Sequence, residues 1–362
     1  MPTDAGAVPC RTGHERCALA AGLLWVLLLA GGQFLLGGRL AVVPWLALGP
    51  LVTAMFARWR ATLLVSAAVV TAVAALSADS GDLISGTGAV RVAGSAALAG
   101  FAVTSSRVRV DREARIRRVT EVATVAQTAI LHPVPSQVGN LDLASRYVSA
   151  TEDALVGGDL FDVLAGSTSV RLVVGDVRGK GLPAVHAAAA VLSAFRHHAP
   201  GQDVSLVDLA QRVEVAVRPR LGPEDFVTAV FCELHLDGRL DVVSCGHPAP
   251  LRIPVGGTAG CLDVVPDAPL GLGDGTGRPV LHSRWTARER LLLFTDGLYE
   301  ARDGRGRFFD LAEAGAVVSV RTTTGPADLE RALDDLLLRV HEHVGGRVGD
   351  DLAVLLVEPR PA

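Results

Sequence analysis

Apolar residues are distributed along this chain in two regimes. Between residues 18 and 104 they form four near-continuous blocks, 18–36, 40–56, 61–76 and 88–104. Spanning ~30 Å of hydrocarbon at about 1.5 Å per helical residue takes roughly 20 residues, with about 17 as a lower limit. The first two blocks reach that length. The third is short, but residues 65–73 within it are apolar on every face. The fourth carries Arg91, which can snorkel near one end. Arg11 and Arg16 ahead of a leucine-rich core also fit a cleaved signal peptide, but three further blocks behind it favour a membrane module of about four helices.

Charges between the blocks orient that module. Arg58 and Arg60 separate blocks two and three, Asp79 and Asp82 separate three and four, and Arg107, Arg109, Arg112, Arg115, Arg117 and Arg118 follow the fourth. The positive-inside rule then predicts a multi-pass protein of the cell membrane with both termini and everything after residue 107 in the cytoplasm. Only Arg39 disagrees.

Residues 107–131 predict a helix leaving the membrane. Ile116, Val119, Ala123, Ala126 and Ile130 fall at 3-4-3-4 spacing, which fits a short homodimeric coiled coil or one amphipathic helix packed on the domain behind it. Pro133 and Pro135 end it, because proline removes a donor and disfavours helix in the residue before it.

Beyond residue 141 the pattern changes to short β-rich runs, 170–174, 226–234, 240–244, 291–294 and 352–357. Helical stretches at 183–198, 206–217 and 327–344 lie between them, and turn residues crowd 254–278. Strands in sequential runs with helices between predict a layered α+β domain. The expected organisation is a tail at 1–17, a membrane module at 18–104, a linker helix at 105–135 and a soluble domain at 136–362.

Composition narrows the function classes. With 49% hydrophobic and 20% charged residues the chain is not largely disordered. A net charge of −4 argues against a nucleic-acid binder. The five cysteines form no CxxC pair or zinc spacing. Lys180 is the only lysine among 34 basic residues.

The chemistry lies in four aspartate motifs: Gly157-Gly158-Asp159-Leu160-Phe161-Asp162, Gly175-Asp176-Val177-Arg178-Gly179-Lys180-Gly181, Thr295-Asp296-Gly297, and Gly349-Asp350-Asp351. Short acids beside glycine at strand ends project from fixed backbone, and a cluster of them needs a cation. All-oxygen ligands suit Mg²⁺ or Mn²⁺. Two such ions roughly 4 Å apart can clamp a phosphate and activate a water without a Ser or Cys nucleophile. Taken singly, each motif is also compatible with an ordinary turn. The 175–181 loop lacks both the GxGxxG and P-loop spacings.

These motifs, in this order, resemble the bacterial PPM-type (type 2C-like) metal-dependent serine/threonine phosphatases, closest to the SpoIIE-like, sigma-factor-regulating branch. The runs AQTAILHPVP (126–135), FVTAVF (226–231), SCGHPAPL (244–251) and PLGL (269–272) support the resemblance. It implies a four-layer α-β-β-α sandwich with two Mn²⁺ or Mg²⁺ ions at one edge. Asp176 would bridge the ions with help from the Val177 carbonyl, Asp296 and Asp350 would complete the set, and Asp159 would bind directly or through water. Asp162 and Asp351 would act behind the ligands. Arg178 and Lys180 are candidates for the substrate phosphate, with an exposed turn arginine the plainer account of Arg178. His247 matches a structural position. Ala353 stands where the pattern has threonine. The implied reaction is hydrolysis of phosphoserine or phosphothreonine on a regulatory protein of the anti-anti-sigma (STAS) type by metal-activated water. The competing readings are a membrane-tethered pseudophosphatase that binds without turnover, and a transporter, which the scarcity of intramembrane charge disfavours.

Overall fold

The computed structural model describes residues 9–35, 42–82, 85–130, 133–149, 157–201, 204–273, 277–287, 289–319, 325–346 and 349–360, with only the backbone course of 9–14, 117 and 119–130. The chain divides into two compact units, Met1–Arg118 and Val119–Ala362.

The first unit is helical: α1 (Pro9–Leu35), α2 (Val43–Leu46), α3 (Leu48–Phe56), α4 (Trp59–Asp79) and α5 (Gly86–Ile130), whose residues from Val119 on are counted with the second unit. Glu15–Leu35, Trp59–Asp79 and Gly86–Ile116 are long and apolar enough to cross a membrane, with mean hydropathies of 2.0, 2.1 and 1.2. The second apolar block is not one long helix. Val43–Phe56 is interrupted at Ala47, and its 14 residues would rise only about 21 Å. Pro50 accounts for this, since it has no amide to return to the Leu46 carbonyl, whereas Pro44 lies in the first turn of α2, where proline is tolerated. Arg39 lies outside the described residues.

Polar contacts gather one end of this bundle. The Arg58 amide donates to Glu15 Oε1 (3.3 Å), Ser106 Oγ to the Ala57 carbonyl (3.0 Å), and Arg109 Nη2 to the same carbonyl (2.7 Å). The Arg107 guanidinium lies 4.3 Å from the Trp59 ring centre. Arg91 pairs with Asp82 at 3.8 Å between α4 and α5. Inside the bundle Val26, Leu46, Val65, Val69 and Val73 pack together, while Leu24, Leu27, Leu28 and Phe34 face outward. A water-soluble bundle shares the apolar interior but would carry polar residues on that outer face.

Among its described residues the second unit has eleven strands: β1 (Gln137–Val138), β2 (Leu141–Val148), β3 (Leu160–Ala165), β4 (Ser169–Val177), β5 (Val227–His235), β6 (Arg239–Cys245), β7 (Leu251–Ile253), β8 (Gly260–Cys261), β9 (Leu281–Arg284), β10 (Arg290–Phe294) and β11 (Leu352–Pro359). Its helices are α6 (Leu182–His198), α7 (Leu206–Val217), α8 (Asp296–Tyr299), α9 (Leu311–Val317) and α10 (Pro326–Val344). Among the described residues the strands form two sheets, ordered β1-β2-β11-β10-β7-β8 and β3-β4-β5-β6-β9, antiparallel throughout.

Strand alternation builds the layers. Leu291 and Leu293 of β10, and Ala353, Leu355 and Val357 of β11, enter the core between the sheets with Leu172, Val174, Val230 and Cys232. The intervening Leu292, Phe294, Leu352, Val354 and Leu356 face α9 and α10. Val173, Phe231 and Val243 face α6 and α7 in the same way. Strands apolar at both parities require cover on both faces, and this gives the α-β-β-α sandwich. A buried arginine ties each helix layer to its sheet. Arg171 Nε donates to Glu233 Oε1 (3.0 Å) and Nη1 to the Ala199 carbonyl (2.9 Å). Arg290, fully buried, donates to Glu358 (2.9 Å), Asp328 (2.5 Å) and the Val318 carbonyl (2.9 Å).

Candidate metal centre

The register of β3 on β4 pairs Leu160 with Gly175, so Asp159 and Asp176 emerge side by side at one end of the second sheet, where their carboxyl groups share a hydrogen bond. Asp296 opens α8 directly after β10, and Asp350 and Asp351 immediately precede β11. Because β10 and β11 are neighbours, strand ends of both sheets converge on one edge.

Electrostatics register that convergence. Burial first, then the Asp296 charge, pushes the Asp176 carboxyl up to about 7. Burial and then Asp176 hold Asp159 well above the usual carboxylate range. Burial and then Asp350 raise Asp296. Carboxyls that raise one another in this way are poised to exchange their protons for a cation.

The backbone leaves room for one. A Cβ on Gly158 would lie 2.4 Å from the Val177 carbonyl oxygen and 2.9 Å from Asp176 Oδ1, so only glycine keeps the space beside these two oxygens open. Oxygen donors from Asp159, Asp176, Val177, Asp296 and Asp350 fit hard divalent ions.

Residues around the acids fix them. Thr295 Oγ1 donates to Asp159 Oδ2 (2.8 Å) and accepts from the Ala353 amide (2.8 Å). A hydroxyl thus serves Asp159 although residue 353 is alanine and buried between the sheets. Asp351 is buried, accepts from Ser149 Oγ (3.1 Å), and packs so closely on Gly157 that a Cβ there would fall 1.3 Å from Oδ2. Lys180 stands between Gly179 and Gly181, both with positive φ (104° and 87°), and its Nζ donates to Asp350 Oδ1 at 2.8 Å.

Two sequence candidates are not brought into the cluster. Asp162 pairs with Arg196 of α6 at 2.5 Å and sits opposite Val173, three residues along β4 from Asp176, so it anchors a helix. Arg178 donates to the Glu224 carbonyl (2.6 Å) and lies 5.4 Å from the Phe226 ring centre, engaged by its own loop rather than turned toward the acids. The sequence reading missed Thr295, Ser149 and the glycines Gly157 and Gly158 as supports. Their signal was adjacency to the motif aspartates, which says nothing about what each touches.

His247 is buried between the sheets. Its Nε2–H donates to the Phe294 carbonyl (3.1 Å), which can only accept, so Nδ1 accepts from the Thr228 hydroxyl (3.0 Å). Burial brings its pKa down to about 4, leaving a neutral brace between β5 and β10. Burial likewise raises the Cys245 thiol to about 12 and lifts Cys232 further, so neither offers a thiolate. Beside the acids a cavity of about 380 Å³ opens among His247, Phe294, Tyr299, Cys261, Pro266 and Leu311.

An antiparallel α-β-β-α sandwich with aspartates converging at one edge defines the class of PP2C-type, metal-dependent serine/threonine protein phosphatases. The family model for stage II sporulation protein E (SpoIIE) matches residues 166–360, and the chain belongs to that family. The match takes in Asp176, Asp296 and Asp350 and begins after Asp159.

Solved structures agree. The RsbU and RsbW domains of a Mycobacterium tuberculosis protein are 29% identical with a TM-score of 0.52, over 63% of this chain and 61% of that one. The PP2C phosphatase domain and regulatory fragment of Bacillus subtilis SpoIIE give 16% and 0.51, over 61% and 64%. The SiaA PP2C domain of Pseudomonas aeruginosa gives 16% and 0.57, over 68% and 98%. This chain therefore spans less than two thirds of the length of the first two.

Proposed function

We propose that this protein is a membrane-anchored phosphatase that hydrolyses phosphoserine or phosphothreonine on a regulatory protein. The observation that carries the reading is the space beside Gly158, bounded by the Val177 carbonyl and Asp176 and ringed by Asp159, Asp296 and Asp350. Those residues would hold two Mn²⁺ or Mg²⁺ ions, with Asp176 among the donors. When bound, such ions supply positive charge that acidifies a water and offsets the charge on a phosphate.

The protein's own groups do the rest. Thr295 keeps Asp159 aimed and its backbone partner satisfied. Asp351 pins the approach to the first motif, and neutral His247 braces the sheets beneath the acids without donating a proton to a leaving group. Lys180 supplies a mobile cation at the mouth, free to meet a substrate phosphate once Asp350 turns to a metal. Family membership and the RsbU-domain likeness support a phosphorylated partner of the anti-anti-sigma (STAS) type.

Three helices suited to a membrane support anchoring. Glu15, Ala57, Arg58, Ser106 and Arg109 meet at one end of the bundle, which fits an up-down-up-down path in which Val43–Phe56 makes the short return. The arginines at that end favour a cytoplasmic side, with residues 105–135 as linker and 136–362 as the catalytic domain. The Ile116-to-Ile130 seam, proposed for a homodimer, lies mostly outside the described side chains.

The test is turnover of a phosphoserine peptide by the full chain in detergent, with Mn²⁺ titrated and Asp176→Asn as control. Metal-dependent turnover lost in the variant is expected. Metal binding without turnover would instead indicate a phosphoprotein-binding module, and loss of both would overturn the site.

A further inference from the structure

A second set of metal-ligating side chains lies at the far end of the second sheet, away from the aspartate edge. The register of β4, β5, β6 and β9 places Arg171, Glu233, Asp241 and His282 in one row, each directly opposite the next. Arg171 reaches the carbonyls of the α6–α7 connection, which puts this row on the helix-facing side of the sheet. His235, two residues after Glu233, joins it from the same face of β5.

Imidazole and carboxylate atoms converge there. His235 Nε2 lies 3.1 Å from Asp241 Oδ2, and His282 Nδ1 lies 2.7 Å from Asp241 Oδ1. One donor atom from each of Glu233, His235 and Asp241 falls within 4.8 Å of the others. Glu233 is itself held by Arg171 (3.0 Å) and Ser169 (2.7 Å), the kind of outer support that orients metal-binding groups. The charged groups facing the cluster are Arg171, Arg239, whose Nη2 is 3.4 Å from His235 Nδ1, and Asp237, which pairs with Arg239. Glu233, Asp241 and Asp237 against the two arginines leave one negative charge for a cation to balance. His282 is 76% exposed, so the site is open to solvent.

We propose that Glu233, His235 and Asp241, joined by His282 from the other oxygen of Asp241, form a binding site for a zinc-class divalent ion that ties edge strand β9 to β5 and β6. Imidazole nitrogens among carboxylates suit such an ion, whereas the all-oxygen aspartate cluster suits Mg²⁺ or Mn²⁺, so ligand chemistry sorts the two sites. Binding displaces the imidazole protons now shared with Asp241. All four residues stand on strands, which hold their spacing more rigidly than loops do.

Cobalt(II) distinguishes this site, because a tetrahedral nitrogen–oxygen site gives an intense visible band and a six-oxygen site only a weak one. The full chain in detergent, stripped of metal, is titrated with Co²⁺ and then with Zn²⁺. The expected result is one equivalent of the intense band, displaced by Zn²⁺, unchanged in Asp176→Asn and lost in both His282→Ala and His235→Ala. The exposed His282 serves as the variant whose fold is least at risk, with circular dichroism as the check. Absence of the band, as expected if the imidazoles are merely ion-paired with Asp241, overturns the proposal, and so does a band that survives His282→Ala.

Discussion

Lys180 and Asp350, 170 residues apart in the chain, are joined by a 2.8 Å contact from Nζ to Oδ1 across the mouth of the acidic cluster. On the proposed reading Asp350 would hold an ion, so the ammonium would have to release it first. Asp350, Asp351 and Asp176 together raise the lysine pKa, which favours its charged form.

Lys180→Gln should therefore tighten Mn²⁺ binding several-fold, because a competing cation is gone, while lowering the melting temperature of the metal-free protein. If Lys180 also meets the substrate phosphate, KM rises at saturating metal. Thermal shift against Mn²⁺ concentration reads the first effect and steady-state kinetics the second. An unchanged metal midpoint would sink the competition argument.

Gly158→Ala should abolish metal binding while leaving the sandwich folded. The new Cβ would stand 2.4 Å from the Val177 carbonyl and 2.9 Å from Asp176 Oδ1, inside contact distance of both donors. Calorimetric titration with Mn²⁺ is the measurement, with circular dichroism confirming the fold. Retained high-affinity binding would mean that the ions sit elsewhere.

The metal-free protein should lose stability as pH rises. Asp176 is pushed up to about 7, and Asp159 and Asp296 are raised as well. The folded state thus keeps protons that the unfolded chain gives up near pH ~4. That contribution is complete below the unfolded pKa and vanishes as pH climbs through the folded one. Melting temperatures between about pH 4 and about pH 8 should fall without metal, fall less in Asp176→Asn, and recover with Mn²⁺, which takes the protons' place.

Thr295→Val keeps the shape of the side chain but strips Asp159 Oδ2 and the Ala353 amide of their shared partner. Two buried polar groups left unsatisfied cost about 1–3 kcal/mol each. Equilibrium unfolding should register that loss, together with weaker Mn²⁺ binding because Asp159 is no longer aimed. A variant as stable as the parent would show that water replaces the hydroxyl.

Arg290→Met should cost about 3–5 kcal/mol, the usual consequence of stranding a buried carboxylate, here Glu358, with Asp328 and the Val318 carbonyl also losing their donor. Arg290→Lys should not restore it, since an ammonium cannot reproduce the guanidinium fork. The unfolding midpoint of each variant decides the matter.

Much of this was legible in the chain. Strands such as β10 and β11 announce themselves because residues at both parities are apolar, and α10 does so because Leu329, Leu333, Leu336 and Val340 share one face. The short β7, β8 and β9 gave no such signal, since two to four residues are too few to show a period. The second apolar block read as a span by hydropathy, but Pro50 interrupts its helix, and mean hydropathy does not see hydrogen bonds. In the acidic cluster the aspartates stood out by their motifs. Asp162 stood out equally and proved to hold Arg196, because a motif preserves residue type without stating direction.

Sequence by itself determined the two regimes of the chain, the layered α+β character of the second and the identity of the acids, because periodicity and motif adjacency are local properties of the polymer. Tertiary structure decided which acids meet. Asp159, Asp176, Asp296 and Asp350 become one site only when β10 and β11 pair and the two sheets stack. The same stacking assigns Thr295 to Asp159 and Lys180 to Asp350, and the pairing of β5, β6 and β9 assigns the two histidines to Asp241. Each of those contacts, apart from the short hairpin pairing of His235 with Asp241, closes a loop of tens to hundreds of residues, and no local pattern encodes which partner stands at its far end.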